Sequence, residues 1–150
     1  MTDQYLIALS DDSHIGEARR SALRAAVRAG CGEAECGKAS IIASELASNV
    51  LRHAKTGDIL IGPLISGSER GVDIIAMDRG EGMFDVQRCL TDGYSTGGTL
   101  GHGLGAVRRL SADFDIYSRP GRGTVVFSRV AAKDREGHDV VAFSYRPSKN

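Results

Sequence analysis

The chain has 150 residues and contains no Trp, three Cys, three Pro and no excess charge of either sign. Aromatic residues make up only 5% of it, which argues against a platform on which single-stranded nucleic acid could stack. The 19 basic and 19 acidic side chains cancel. Charge therefore gives no reason to expect nucleic acid or an anionic membrane as the main partner.

A membrane span and a targeting signal are also missing from the sequence. No apolar run approaches about 18 residues, and the N-terminal segment is acidic rather than basic and then apolar. We therefore expect a soluble, cytoplasmic protein. Cys31, Cys36 and Cys89 have no CxxC spacing, so they indicate neither a disulfide framework nor a zinc site.

Hydrophobic periodicity places helices mainly early in the chain and strands mainly later. This order predicts an α+β fold, a two-layer sandwich with helices on one face of a mixed, largely antiparallel sheet. The connection from residue 78 to about 101 has no sustained period and is long enough to be a functional lid. The predicted helices are 14–29, 33–54 and 104–110, and the predicted strands are 5–9, 58–65, 72–77, 114–117 and 124–130.

The second predicted helix has a polar pair beside its apolar stripe. Glu45 and Asn49 are four residues apart, so they lie on one helical face at the edge of the core. An amide oxygen with a nearby carboxylate suits Mg²⁺, which takes few protein ligands beside substrate phosphates. Taken alone, the pair is better explained as two solvated residues of a surface helix.

Two glycine-rich segments follow. The first comes directly after a predicted strand and has the sequence Asp78-Arg79-Gly80-Glu81-Gly82-Met83. Its ionised Asp suits a ligand amino group such as that of adenine. A tight turn explains the segment equally well. The second segment spans residues 97–105 and leads into a short amphipathic helix, an arrangement that favours an anion. It is neither a P-loop nor a dinucleotide fingerprint, because the following Lys and the preceding strand are absent.

In order and spacing, these segments together resemble the GHKL ATPase superfamily, most of all the anti-sigma-factor and RsbT-type switch serine kinases. The resemblance covers about residues 5–130, and it implies the Bergerat ATP-binding fold and a serine/threonine-protein kinase that uses ATP and Mg²⁺. The matching segments are ELASNVLRHA, MDRGEGM, GHGLGAVRRL and the terminal GRGTVVFSR.

The resemblance also implies roles for individual residues. Glu45 is the candidate general base, Asn49 the Mg²⁺ ligand and Asp78 the acceptor for the adenine amino group. For Arg52 and His53, a structural role and a nucleotide-facing role remain equally open, and His102 is not expected to act in catalysis or metal binding. The implied nucleotide-binding positions besides Asn49 and Asp78 are Arg52, His53, Gly80, Gly82, Met83, Gly101, His102, Gly103, Leu104, Gly105 and Thr124.

The expected partner is a STAS-like anti-sigma-factor antagonist that bears the acceptor serine, with a sigma factor or a PP2C-type phosphatase as a second partner in a stress pathway. Two alternatives stay open. One is an ATP-binding regulatory module with little catalysis: an anti-sigma factor, a phosphatase activator or the N-terminal domain of a PP2C-type phosphatase. The other, a sensor histidine kinase domain, is disfavoured because the chain has no room for a dimerisation helix pair bearing a phosphoacceptor His.

Domain organisation follows from length and resemblance. Residues 1–132 are expected to form one ATP-binding, kinase-like domain. Residues 133–150 are expected to be a polar linker or C-terminal extension. Their apolar part, Val140-Val141-Ala142-Phe143, is either an edge strand of the same domain or the start of a further one.

Overall fold

The computed structural model describes residues 4–91 and 103–132. Within them the chain forms five strands and four helices, and none of these helices is long and apolar enough to cross a membrane. In chain order the elements are β1 Tyr5–Leu9, α1 Ser13–Ala29, α2 Glu33–Ala54, β2 Gly57–Ser66, β3 Glu69–Asp78, α3 Val86–Cys89, α4 Gly103–Leu110, β4 Asp113–Arg119 and β5 Gly123–Ala131.

The strands form one sheet in the order β1-β2-β3-β5-β4. All four pairings in the described part of the chain are antiparallel, so the sheet is more regular than the mixed one expected from the sequence. The hairpin of β4 and β5 returns to the centre of the sheet, where β5 pairs with β3. This insertion places Thr124 directly opposite Asp78.

The helices cover one face of the sheet, as the α+β sandwich prediction requires. Helix α2 lies at the centre, in contact with α1 on one side and α4 on the other. Its buried positions recur at threes and fours and are at most 2% exposed. Each large aliphatic side chain buried in this way stabilises the fold by about 1.5–3 kcal/mol. The buried α2 residues are Ala39, Ile42, Ala43, Leu46, Ala47 and Val50.

Helix α1 packs closely on α2 because its buried stripe consists of small residues. Ala18, Ala22, Ala25 and Ala26 are completely buried. The helix ends at Gly30, whose φ of 82° is the left-handed conformation typical of a helix C-terminus. A short connection follows, and α2 starts at Glu33.

Candidate functional site

The three polar segments singled out in the sequence meet at one cleft of about 350 Å³. The C-terminal half of α2 provides one wall, the end of β3 and the loop after it provide a second, and the start of α4 closes the third. Asn49, Asp78 and Gly103 line the cleft from these three elements. Residues far apart in sequence therefore converge on one concave surface, which is the usual form of a small-molecule site.

Helix α2 contributes three of the four residues expected from it. Asn49, which is half-buried, lines the cleft together with Arg52 and His53. Glu45 is also half-buried but lies one turn earlier on the helix and does not line the cleft. The structure thus brings the predicted metal ligand to the cleft and leaves the predicted base beside it.

His53 is held in a setting that favours its uncharged form. Burial lowers the pKa of its imidazole below the usual value, and the neighbouring charge of Arg52 lowers it further. Asp78 and Glu81 act in the opposite direction but do not reverse the shift. At neutral pH the cleft therefore presents a neutral imidazole that is able both to donate and to accept a hydrogen bond.

The first glycine segment folds back on its own aspartate. Asp78 Oδ1 accepts a hydrogen bond from the Gly80 N–H at 2.9 Å, which leaves the second carboxylate oxygen available to a ligand. Gly80 packs against the end of α2 and does not line the cleft; a Cβ there would lie 2.7 Å from that of Ala54. Gly82 and Met83 do line the cleft.

Gly82 is required by both its backbone conformation and its surroundings. Its φ is +72°, and a Cβ on it would overlap the carbonyl oxygen of Arg119 in the β4–β5 turn. The same turn is joined to the loop by a hydrogen bond from the Gly121 N–H to the Glu81 carbonyl at 2.7 Å. The first glycine segment is therefore built onto the turn that ends at Gly123.

Replacing Gly82 with Ala is expected to lower the free energy of unfolding by at least about 2 kcal/mol, because backbone strain and overlap with Arg119 add together. Gly121 is the matched control, since its φ is +74° and a Cβ there meets nothing within 4 Å. Gly121→Ala should lower it by only about 1 kcal/mol. Urea unfolding of both variants measures the difference, and equal losses would contradict the close packing described at Gly82.

Sequence reasoning missed a linking residue, Ser118. Its hydroxyl accepts the Met83 N–H at 2.8 Å and shares a hydrogen bond of 2.8 Å with the Thr124 hydroxyl. Thr124 is 6% exposed and lines the cleft, as expected. Ser118 thus ties the first glycine segment to the strand that carries Thr124. The pairing of β4 with β5 places Ser118 opposite Thr124, and no local pattern in the sequence indicated this contact.

The second glycine segment ends in helix α4. Gly103, with a φ of +63°, and the buried Leu104 line the cleft, whereas Gly105 is buried within the helix and does not. The first N–H groups of a helix have no acceptor within it, so this end of α4 favours an anion. Gly101 and His102, like residues 92–100 of the predicted lid, lie outside the described residues.

Five further cleft residues come from the loop after β3 and from α3. The single-turn helix α3 has no sustained hydrophobic period, so no helix is predicted there from the sequence. The spacing of Asp85 to Arg88 was an available signal, because the Asp85 side chain accepts the Arg88 N–H at 3.1 Å as a helix cap. The five residues are Glu81, Phe84, Asp85, Arg88 and Cys89.

Cys89 brings a thiol to the cleft wall. Burial raises the pKa of this thiol, and the charge of Asp85 raises it further, while Arg88 has an opposing effect. The thiolate is the reactive form of cysteine, so Cys89 is a weak nucleophile at neutral pH.

Comparison with known proteins places this cleft in a family. Residues 8–129 match the histidine kinase-like ATPase domain. The chain is 34% identical over 126 residues to the serine/threonine-protein kinase RsbT of Bacillus subtilis strain 168. This alignment covers 84% of this chain and 95% of that protein. It also aligns with the histidine kinase domain of a blue-light activated histidine kinase from Erythrobacter litoralis, at 20% identity and a TM-score of 0.44, over 81% of this chain and 63% of that one.

The chain therefore belongs to the histidine kinase-like ATPase family, and ATP is the nucleotide that such a domain binds. Within that family it is a GHKL-type serine/threonine-protein kinase of the RsbT group. The predictions of the superfamily, the fold class and the enzyme class are confirmed.

Proposed function

We propose that this chain transfers the γ-phosphoryl group of Mg-ATP to a serine of a small STAS-like anti-sigma-factor antagonist, in a stress pathway that controls a sigma factor. The convergence of Asn49, Asp78 and the start of α4 on one cleft is the observation that supports the nucleotide site most directly. The RsbT relative, a serine/threonine-protein kinase by name, supports a protein hydroxyl as the acceptor. A kinase acts where ATP is present, so the cytoplasm is the proposed location.

The cleft has two chemically different ends that suit the two ends of ATP. Asp78 and Thr124 are register partners on β3 and β5, and we assign the adenine to them. The carboxylate accepts hydrogen bonds only, so it matches the adenine amino group. We assign the phosphates to the N-terminal end of α4 at Gly103 and Leu104, because the first N–H groups of a helix favour negative charge.

Asn49 is the proposed protein ligand of Mg²⁺. Among the described residues there is no cluster of three or more His, Cys, Asp or Glu that could hold a metal by themselves. A single amide oxygen in a phosphate-binding cleft fits Mg²⁺, which keeps several waters and completes its shell with substrate phosphates. When bound, the ion would neutralise charge on the phosphate oxygens.

Glu45 is the proposed general base. In the transfer, the serine oxygen forms a bond to the γ-phosphorus, the bond to the bridging oxygen of ADP breaks, and the serine proton passes to the Glu45 carboxylate. Glu45 lies one turn from Asn49 and outside the lining of the cleft. A base in that position would meet an incoming hydroxyl rather than the nucleotide itself.

The position of Glu45 also favours a second candidate function. If no partner hydroxyl reaches a base outside the cleft, the domain would bind ATP and use its occupancy to set the affinity for a partner. In that case the chain would be an anti-sigma factor or a phosphatase activator with little catalysis.

Incubation of the full chain with labelled Mg-ATP and candidate STAS proteins distinguishes the two functions. Label on a partner serine, lost when that serine is replaced by Ala, is the result expected of the kinase. Tight ATP binding without transfer to any candidate would favour the regulatory module. Label on a histidine would contradict both.

A further inference from the structure

Cys31 and Cys36 lie together at the junction of α1 and α2. The Cys36 thiol donates a hydrogen bond to the Cys31 carbonyl oxygen, with 3.8 Å between the sulfur and the oxygen. Both residues are free thiols, and both side chains are partly exposed while packing against the core. Neither lines the nucleotide cleft. The function proposed above therefore leaves this pair of thiols without a role.

The end of α1 fixes the position of Cys31. The Gly30 N–H donates to the Val27 carbonyl oxygen and the Cys31 N–H donates to the Ala26 carbonyl oxygen, both at 3.0 Å. Together these bonds form the Schellman motif, in which the residue after the left-handed glycine turns back onto the last turn of the helix. The backbone of Cys31 is therefore held against the end of α1.

The first turn of α2 fixes Cys36 in a similar way. Gly32 is the N-cap residue, with an extended backbone, and its carbonyl oxygen accepts the Cys36 N–H at 3.0 Å. Cys31 directly precedes this N-cap, and Cys36 is the fourth residue of the helix. Side chains at these two positions commonly pack against each other, a contact called the hydrophobic staple. Here both members of the staple are thiols.

The third cysteine lies far from this pair. Cys89 lines the same cleft as Asn49, and Asn49 lies about 20 Å beyond Cys36 along α2 at the usual rise per residue. A disulfide requires Cα atoms no more than about 7 Å apart. Among the described residues no group of three or more His, Cys, Asp or Glu could hold a metal, so the pair is not part of a closed zinc site there.

We propose that Cys31 and Cys36 form a reversible disulfide, which makes the start of α2 a site of oxidation by peroxide. The pair lacks CxxC spacing because its two thiols meet across a helix start rather than within one turn. Disulfides in cytosolic proteins are mostly transient and act in catalysis or redox sensing. The cross-link joins the end of α1 to the first turn of α2, the helix that carries Asn49. Its formation needs neither nucleotide nor a protein partner.

Each cross-link consumes one hydrogen peroxide. The Cys36 thiolate attacks one peroxide oxygen, the O–O bond breaks, and the departing hydroxide takes up a thiol proton to become water. The Cys31 thiolate then attacks the resulting sulfenic sulfur, so that the S–S bond forms and the S–O bond breaks. The hydroxide released in this step takes up the second thiol proton. The two sulfurs together lose two electrons, which the peroxide gains.

The surroundings of Cys31 suit it to the second step. Burial raises the pKa of its thiol, and the charges of Cys36 and Glu35 raise it further. The Glu35 carboxylate folds back over the N-cap, 3.1 Å from the position that a Cβ on Gly32 would take. The thiolate is the nucleophilic form, so Cys31 attacks free peroxide slowly. A sulfenic sulfur on Cys36 is instead held beside it.

Peptide mapping after peroxide treatment tests the cross-link. The full chain is reduced, freed of reductant, exposed to hydrogen peroxide, alkylated with iodoacetamide and digested with trypsin. Cleavage after Arg28 and Lys38 releases residues 29–38, which contain Cys31 and Cys36 and no other cysteine. We expect this peptide to be unalkylated and about 2 Da lighter than its dithiol form. Treatment with dithiothreitol before alkylation should restore the dithiol form.

Moving the second thiol by one residue gives the matched control. Gly37 is exposed, and a Cβ on it would meet nothing within 4 Å, so the double variant Cys36→Ser/Gly37→Cys keeps the number of thiols without a clash. The change rotates the thiol by about 100° around α2, away from Cys31. This variant should form the cross-link at least about tenfold more slowly than the parent. Cys89→Ser should form it at the parent rate, and circular dichroism confirms which variants are folded.

Three results would overturn the proposal. One is a peptide 29–38 that remains alkylated at both cysteines or gains oxygen instead of losing hydrogen. Another is a cross-link between two chains, seen as a dimer on a nonreducing gel. The third is an equal rate in the parent and in Cys36→Ser/Gly37→Cys, because the pairing at the helix start would then have no influence on the reaction.

Discussion

Glu45→Ala is expected to lower the rate of phosphoryl transfer by about 10²- to 10⁴-fold while leaving ATP affinity within about twofold. The expectation follows from position: Glu45 is half-buried on α2, one turn before Asn49, and does not line the nucleotide cleft. Loss of a base outside the cleft removes proton acceptance and leaves the nucleotide contacts intact. The affected quantity is therefore the turnover rate, not binding.

Single-turnover transfer to the partner serine and calorimetric titration with ATP measure the two quantities separately. Glu35→Ala is the matched control, because Glu35 has similar burial but lies in the first turn of α2, far from Asn49 along the helix. It should transfer phosphate at the parent rate. An unchanged turnover in Glu45→Ala would remove Glu45 from the mechanism, and a large loss of ATP affinity would reassign it to nucleotide binding.

Asp78→Asn is expected to weaken ATP binding by about 1.5–3 kcal/mol, roughly a 10- to 150-fold rise in Kd. The substitution keeps an oxygen that is able to accept the Gly80 N–H, so the loop after β3 retains its hydrogen bond. It removes a charged acceptor and adds an N–H₂ group where the adenine amino group is proposed to lie. The loss therefore reports on the nucleotide rather than on the fold.

Calorimetry with ATP measures this change. Asp58→Asn is the control, since Asp58 is exposed on β2 and does not line the cleft. Its affinity for ATP should equal that of the parent chain. Equal affinities for the parent and Asp78→Asn would refute the adenine assignment.

Local patterns in the sequence were sufficient to predict the main helices. The apolar stripe of α2 recurs at threes and fours, and α2 has the predicted bounds. Strands β2 and β3 run longer than predicted, Gly57–Ser66 and Glu69–Asp78, because the ladder continues through residues with turn-like composition to a tight turn at Gly67-Ser68. Composition alone could not show that pairing extends so far.

The pairing of strands that are distant in the chain could not be predicted from the sequence. The insertion of β5 between β3 and β4 puts Thr124 beside Asp78, and this order depends on packing between segments more than 40 residues apart. The resemblance supplied Thr124 as a site residue, but nothing local indicated that Ser118 would join it to Met83. The linker or C-terminal extension expected at residues 133–150, with its apolar part as an edge strand or the start of a further domain, lies outside the described residues and remains a prediction.

A crystal structure with Mg²⁺ and a nonhydrolysable ATP analogue tests the central claim most directly. We expect the adenine amino group within about 3 Å of the Asp78 carboxylate, the phosphates at the N–H groups of Gly103 and Leu104, and the cation on the Asn49 amide oxygen. A nucleotide bound elsewhere on the chain, or one that leaves Asp78 and Asn49 without contact, would contradict it.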